Sequence, residues 1–210
     1  MELELFSQTL IYVHAILGGI ALLSGGVSLI AKKGRKVHKK SGKVFFYSML
    51  LSAFTALIIS ALPNHESPFL FSIGLFSSYF ILSGYRALRY KKEIPNLTLD
   101  KALSFSLLIV GISMILYPII VKHKLSIVLT VFGVVGLTFG VLDLIQFRNH
   151  DKLKKNWLKT HLGKMVGGYI AATTAFAVVN GIFPGIYSWF IPGVIGGFYI
   201  YYWNRKIDKK

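Results

Sequence analysis

The stretch Asp143–Tyr169, DLIQFRNHDKLKKNWLKTHLGKMVGGY, sets an acid and a histidine on either side of a basic connection between two apolar runs. Asp143 lies inside the C-terminal end of the earlier run and His161 just inside the N-terminal end of the later one. If both runs cross a bilayer, the two side chains approach the same face at similar depth. An ionisable group inside a span costs roughly 2.5–3.5 kcal/mol on insertion scales, which makes it a functional candidate by default.

The rest of the chain fits a bilayer. Of its 210 residues 54% are hydrophobic, and the mean hydropathy is +0.60, whereas soluble domains carry about 45–50% apolar residues even with glycine included. The formal net charge of +16 does not point to nucleic acid, because Lys and Arg fall in clusters between apolar runs rather than along a stripe on a soluble fold. Cysteine is absent, which excludes disulfides and thiolate metal sites and leaves His, Asp and Glu as metal ligands. The N-terminus, MELELFSQ, holds Glu2 and Glu4 and no basic residue, unlike a cleaved signal peptide, so the first span is expected to be retained.

Apolar runs cover residues 8–31, 44–62, 69–88, 103–121, 125–147, 158–180 and 186–203. Each approaches the roughly 20 residues that a helix needs to cross the hydrocarbon. They predict an all-α polytopic membrane protein with seven transmembrane helices in one bundle spanning 1–210. Basic residues cluster at Lys32–Lys43, at Arg86–Lys101, at Arg148–Lys164 and in the tail from Arg205, and of 24 only Lys122 and Lys124 fall elsewhere. That alternation places the N-terminus outside and the C-terminus inside. The inner basic loops are then partners for anionic lipid headgroups, at about 1 kcal/mol per charge.

Trp157, Trp189 and Trp203, with Tyr187, Tyr199, Tyr201 and Tyr202, lie near span ends and read as interfacial anchors. Small residues recur at helix-packing spacing: Gly18, Gly19, Gly25 and Gly26 in the first span, Gly133, Gly136 and Gly140 in the fifth, Gly163, Gly167 and Gly168 in the sixth, and Gly193, Gly196 and Gly197 in the seventh. Spans one, five, six and seven are therefore expected to form the tight core. No internal repeat of fixed period is read.

His65, His123 and His150 read as solvated loop residues. His38, in KKGRKVHKKSGK, is open to a lipid-contact or a site role. His14 lies about six residues, or roughly 9 Å, inside the first span at 1.5 Å per residue, and Tyr79, Thr173 and Thr174 are the partners expected for its ring. His161 and Asp143 form the leading pair. Met165 and Tyr169 share the face of His161, and Lys164 can neutralise Asp143. The plainer alternative is a packing ion pair of Asp143 with His161, Lys164 or Arg86. Asp143 is read as the sole acid within a span. No H-E-x-x-H, G-x-S-x-G, Walker or Rossmann motif is present.

The segments HAILGGIALLSGGVSL, KKGRKVHKKSGKVF and WLKTHLGKM followed by AFAVVN, with Asp143, resemble a family of bacterial "predicted membrane proteins" of unknown function (DUF2306-like), over nearly the whole chain. The resemblance implies a shared buried polar site at His14, His38, Asp143, Trp157, His161 and Met165, with Lys164 where arginine is more usual, and a place in the bacterial cytoplasmic membrane. It implies no activity.

These readings converge on an inner-face site of His38, Asp143 and His161, with His14, Tyr79, Arg86, Lys164 and Met165 as secondary members. Its ligand would be a divalent metal or haem b, since His and carboxylate suit zinc or iron and membrane histidines suit haem. Two alternatives stand beside it: a metal-dependent membrane hydrolase, weakened because Met165 follows His161 where a second histidine would be expected, and a small permease or structural partner without a cofactor. Whether the protein is an enzyme is left open.

Overall fold

The computed structural model describes residues 2–92 and 96–209. Among them are seven α-helices and no strand: α1 Glu2–Ile30, α2 Lys36–Ile59, α3 Pro68–Arg86, α4 Thr98–Lys122, α5 Ile127–Gln146, α6 His150–Val179 and α7 Tyr187–Asp208, with a 3-10 segment Ala87–Lys91 extending α3. Helices satisfy their backbone groups internally, as a segment crossing hydrocarbon must. Along α1, Ile16, Ile20, Leu23, Val27 and Ile30 are exposed, which suits lipid and not water.

The helix boundaries bear on the sequence reading in two places. Six helices, α1 to α6, are long and apolar enough to cross a membrane; α7 has the length, but Tyr199, Tyr201, Tyr202, Gly196 and Gly197 replace the aliphatic residues that would raise its hydropathy. The basic stretch before His161 is not a loop. Asn149 Oδ1 accepts the Lys152 N–H at 2.9 Å, a side-chain cap that starts α6 at His150, so Lys152–Lys159 form its first turns. The short join between α4 and α5 is a tight turn, with His123 in the left-handed region at φ 50° and Ser126 capping α5.

Contacts group the chain into two compact units. One holds residues up to Ile81 together with Val166–Gly196; the other holds Leu82–Met165 and residues from Gly197 onward. In the first, α1 packs on α2, and a Cβ on Gly25 would stand 2.5 Å from Tyr169 Cδ2. The Tyr169 ring meets Phe45 edge-on with centroids 6.0 Å apart. Gly168 lies against Ile81 and Gly196 against Ile170 in the same manner.

In the second unit α4 packs on α5. A Cβ on Gly111 would meet Gly133 O at 2.9 Å, and one on Gly133 would meet Gly111 O at 2.7 Å, so the two backbones touch. The glycines of α5 therefore serve α4, a helix the small-residue pattern did not single out, because Gly111 stands alone in its sequence. Gly140 lies beside Leu108 and Ser104 O, which brings the Ser104 turn of α4 up to Asp143.

Candidate functional site

In the second unit the charges are paired. Asp143, on α5, is buried, and its Oδ2 receives Lys164 Nζ of α6 at 2.6 Å. Lys164 is also buried and lies over the Phe139 ring at 5.4 Å. A second buried acid, Asp100, sits in the first turn of α4. Arg86 grips it with two bonds, Nε to Oδ1 at 2.8 Å and Nη2 to Oδ2 at 2.6 Å, and Tyr90 donates its hydroxyl to Oδ1 at 2.7 Å. Arg86 thus belongs to Asp100 and not to Asp143, and Asp143 is not the sole acid within a span.

Ser104 links the two pairs. Its hydroxyl lies 3.1 Å from Asp100 O and 3.1 Å from Asp143 Oδ2. The result is a ladder of compensated charge through α3, α4, α5 and α6. Such charges persist in an apolar interior when each is matched and hydrogen-bonded. Its lower edge rests on a cluster of Ala87, Tyr90, Leu97, Phe147 and Leu153, flanked by Trp157.

His161 is half-buried on α6, and its Nδ1 is 2.8 Å from Gly84 O on α3. Met165 packs on the same residue: a Cβ at Gly84 would stand 2.9 Å from Met165 Sδ. Glycine at 84 is what lets α6 come close enough for the imidazole to reach a backbone carbonyl.

In the first unit the histidines follow the same pattern. His14 Nδ1 lies 2.9 Å from Ser52 O, with Ser52 Oγ at 3.1 Å and Thr55 Oγ1 at 3.4 Å. Its partners are therefore on α2, and Tyr79, which is buried in α3, and the threonines of α6 are not among them. His38 Nδ1 lies 3.0 Å from Ser28 O and 3.1 Å from Ser28 Oγ. Ser28 O also accepts from Lys33 Nζ at 3.1 Å, and burial holds that amine below the ordinary lysine range.

A carbonyl can only accept, so each of these three rings carries a proton on Nδ1, and in a neutral ring Nε2 is then the acceptor. That tautomer is the one a metal-ligating histidine adopts when a backbone carbonyl orients it. Among the described residues, however, no three His, Asp or Glu side chains gather as a metal-binding set. The expected triad of His38, Asp143 and His161 divides between the units, with His38 in the first and Asp143 and His161 in the second. A hydrolase that activates water on a protein-held metal lacks its ligand cluster among these residues.

The helices and their exposed apolar faces define a polytopic α-helical membrane protein. Over residues 11–97 the chain matches the model of a family described as "Predicted membrane protein (DUF2306)". The match covers His14 and His38 but ends before Asp100, Asp143, Trp157, His161 and Met165, so it is narrower than the whole-chain likeness its motifs suggest. No curated protein and no solved structure matches the chain significantly.

Proposed function

We propose that this protein is a seven-span protein of the bacterial cytoplasmic membrane, N-terminus outside and C-terminus inside, that holds a haem-type cofactor through histidine Nε2 atoms. The observation that carries this reading is a shared ring orientation: His14 and His38 each give Nδ1–H to a backbone carbonyl of the helix they pack on. A bare divalent ion needs about three or four protein ligands. Haem brings its own equatorial nitrogens and asks for only one or two axial side chains. The oriented imidazoles of His14 and His38 in apolar helices suit it. Asp143 and Lys164 then act as a fixed pair that positions α6 behind His161, and the inner basic turns lie against anionic headgroups.

The test is an absorbance spectrum of the detergent-purified full chain, before and after titration with haemin. A Soret band that His14→Ala or His38→Ala diminishes supports the reading, and no Soret band even with added haemin ends it. Reporter fusions test the topology separately. One after Lys210 should be cytoplasmic, and those at Asn64 and Gly185 exterior. If Lys210 and Gly185 report the same side, α7 does not cross.

A second reading rests on the ladder. Two buried carboxylates joined through one hydroxyl could serve a proton-coupled permease. Asp143→Asn should then abolish uptake of the transported solute in deletion cells, and Asp143→Glu, which keeps a carboxylate beside Lys164, should retain it.

A further inference from the structure

The α1 and α2 helices repeat one another. His14, Gly18 and Ser28 on α1 and His38, Gly42 and Ser52 on α2 share the spacing H-x3-G-x9-S, displaced by 24 residues. The two helices exchange these groups reciprocally: His14 of α1 bonds Ser52 of α2, and His38 of α2 bonds Ser28 of α1. The serines complete each exchange. Ser52 Oγ donates to His14 O at 3.2 Å and Ser28 Oγ to His38 O at 3.4 Å. The glycines make room for it, since a Cβ on Gly18 would meet Ser52 Oγ at 3.6 Å and one on Gly42 would meet Ser28 Oγ at 3.3 Å.

We infer that this hairpin is a duplicated cradle holding two cofactor equivalents, one on His14 Nε2 and one on His38 Nε2. The inference rests on the haem reading above and adds the number and place of the sites. Both rings are half-buried, and among the described residues no hydrogen-bond partner meets Nε2 of either. Serine, glycine and carbonyl are all spent on Nδ1 and the backbone, which leaves the lone pair of Nε2 as the group each cradle presents. One cofactor cannot use both. The fourteen residues from His14 to the Ser28 level amount to about 21 Å of rise, whereas two imidazoles on one iron stand only about 4 Å apart at metal–nitrogen bonds of about 2 Å.

The two cradles differ in charge. Lys33 Nζ shares Ser28 O with His38, while Thr55 occupies the matching place beside His14. A cation beside the cofactor favours its reduced, more negative form, so the equivalent on His38 has the higher reduction potential.

The experiment counts haem per chain in the detergent-purified full-length protein after haemin titration, with a potentiometric titration alongside. His14→Ala and His38→Ala should each remove one equivalent, the double variant two, and His38→Ala should remove the higher-potential component. His14→Gly and His38→Gly with added imidazole should regain the missing equivalent, which separates lost ligation from lost folding. If both alanine variants keep the full haem count, or either removes all of it without rescue by imidazole, the duplicated cradle is overturned, while haem bound by the unaltered chain keeps the haem reading standing. If the unaltered protein takes up no haem, the underlying reading has failed.

Discussion

The two units house polar side chains in opposite ways. The second encloses full charges and cancels them, Lys164 on Asp143 and Arg86 on Asp100. The first encloses none of these pairs in its α1 and α2 helices but sets neutral imidazoles on carbonyls that are already part of a helix. Breaking an ion pair in an apolar interior strands a charge. Removing a neutral imidazole strands nothing, because the carbonyl keeps its own helical N–H. The second unit should therefore hold the stability and the first should tolerate change at its polar positions.

The largest effect is expected at the buried pair. Lys164→Met should cost about 3–5 kcal/mol, because Asp143 would lose its buried cation. Asp143→Leu combined with Lys164→Leu should recover most of that loss, and a double-mutant cycle from thermal unfolding in detergent measures the coupling. Purely additive losses would show that the pair is not the unit's electrostatic anchor and would erase the contrast between the units.

A smaller loss is expected where α4 and α5 touch. Gly133→Ala forces a Cβ to within 2.7 Å of Gly111 O, a backbone atom that cannot turn aside. Overpacking of this kind costs about 1–3 kcal/mol. Gly163→Ala is the control: nothing lies within 4 Å of its Cβ position, and alanine should gain up to about 1 kcal/mol by helix propensity. Unfolding midpoints of the two variants should move in opposite directions, and equal shifts would mean that the backbone contact does not set the helix spacing.

The helices were legible because runs of apolar residues near span length leave few alternatives, and the pairing of Lys164 with Asp143 was within reach because both lie in apolar surroundings near the same face. Asp100 was hidden by its position. In the first turn of α4, next to a connection, it reads as a solvated helix-start acid, and only the fold shows Arg86 and Tyr90 closing over it. The boundary of α6 was misplaced because basic residues look like loop when the capping role of Asn149 is not weighed. The hairpin repeat is faint in the sequence because only three positions in each copy carry it, as H-x3-G-x9-S, and the reciprocal bonds give it meaning.

The smallest stability change, and the sharpest contrast with Lys164, is expected at His14. His14→Leu keeps the apolar volume and removes one bond to Ser52 O, a neutral contact whose net worth is about 0.5–1.5 kcal/mol. Ser52 Oγ still donates to the backbone at position 14, since that bond uses His14 O and not the ring. The α1 and α2 pair should accordingly stay associated, with unfolding in detergent close to that of the unaltered chain. A loss as large as that of Lys164→Met would mean that the imidazole carries a charge in the folded protein, and the neutral tautomer from which the ligand reading of the first unit starts would then be wrong.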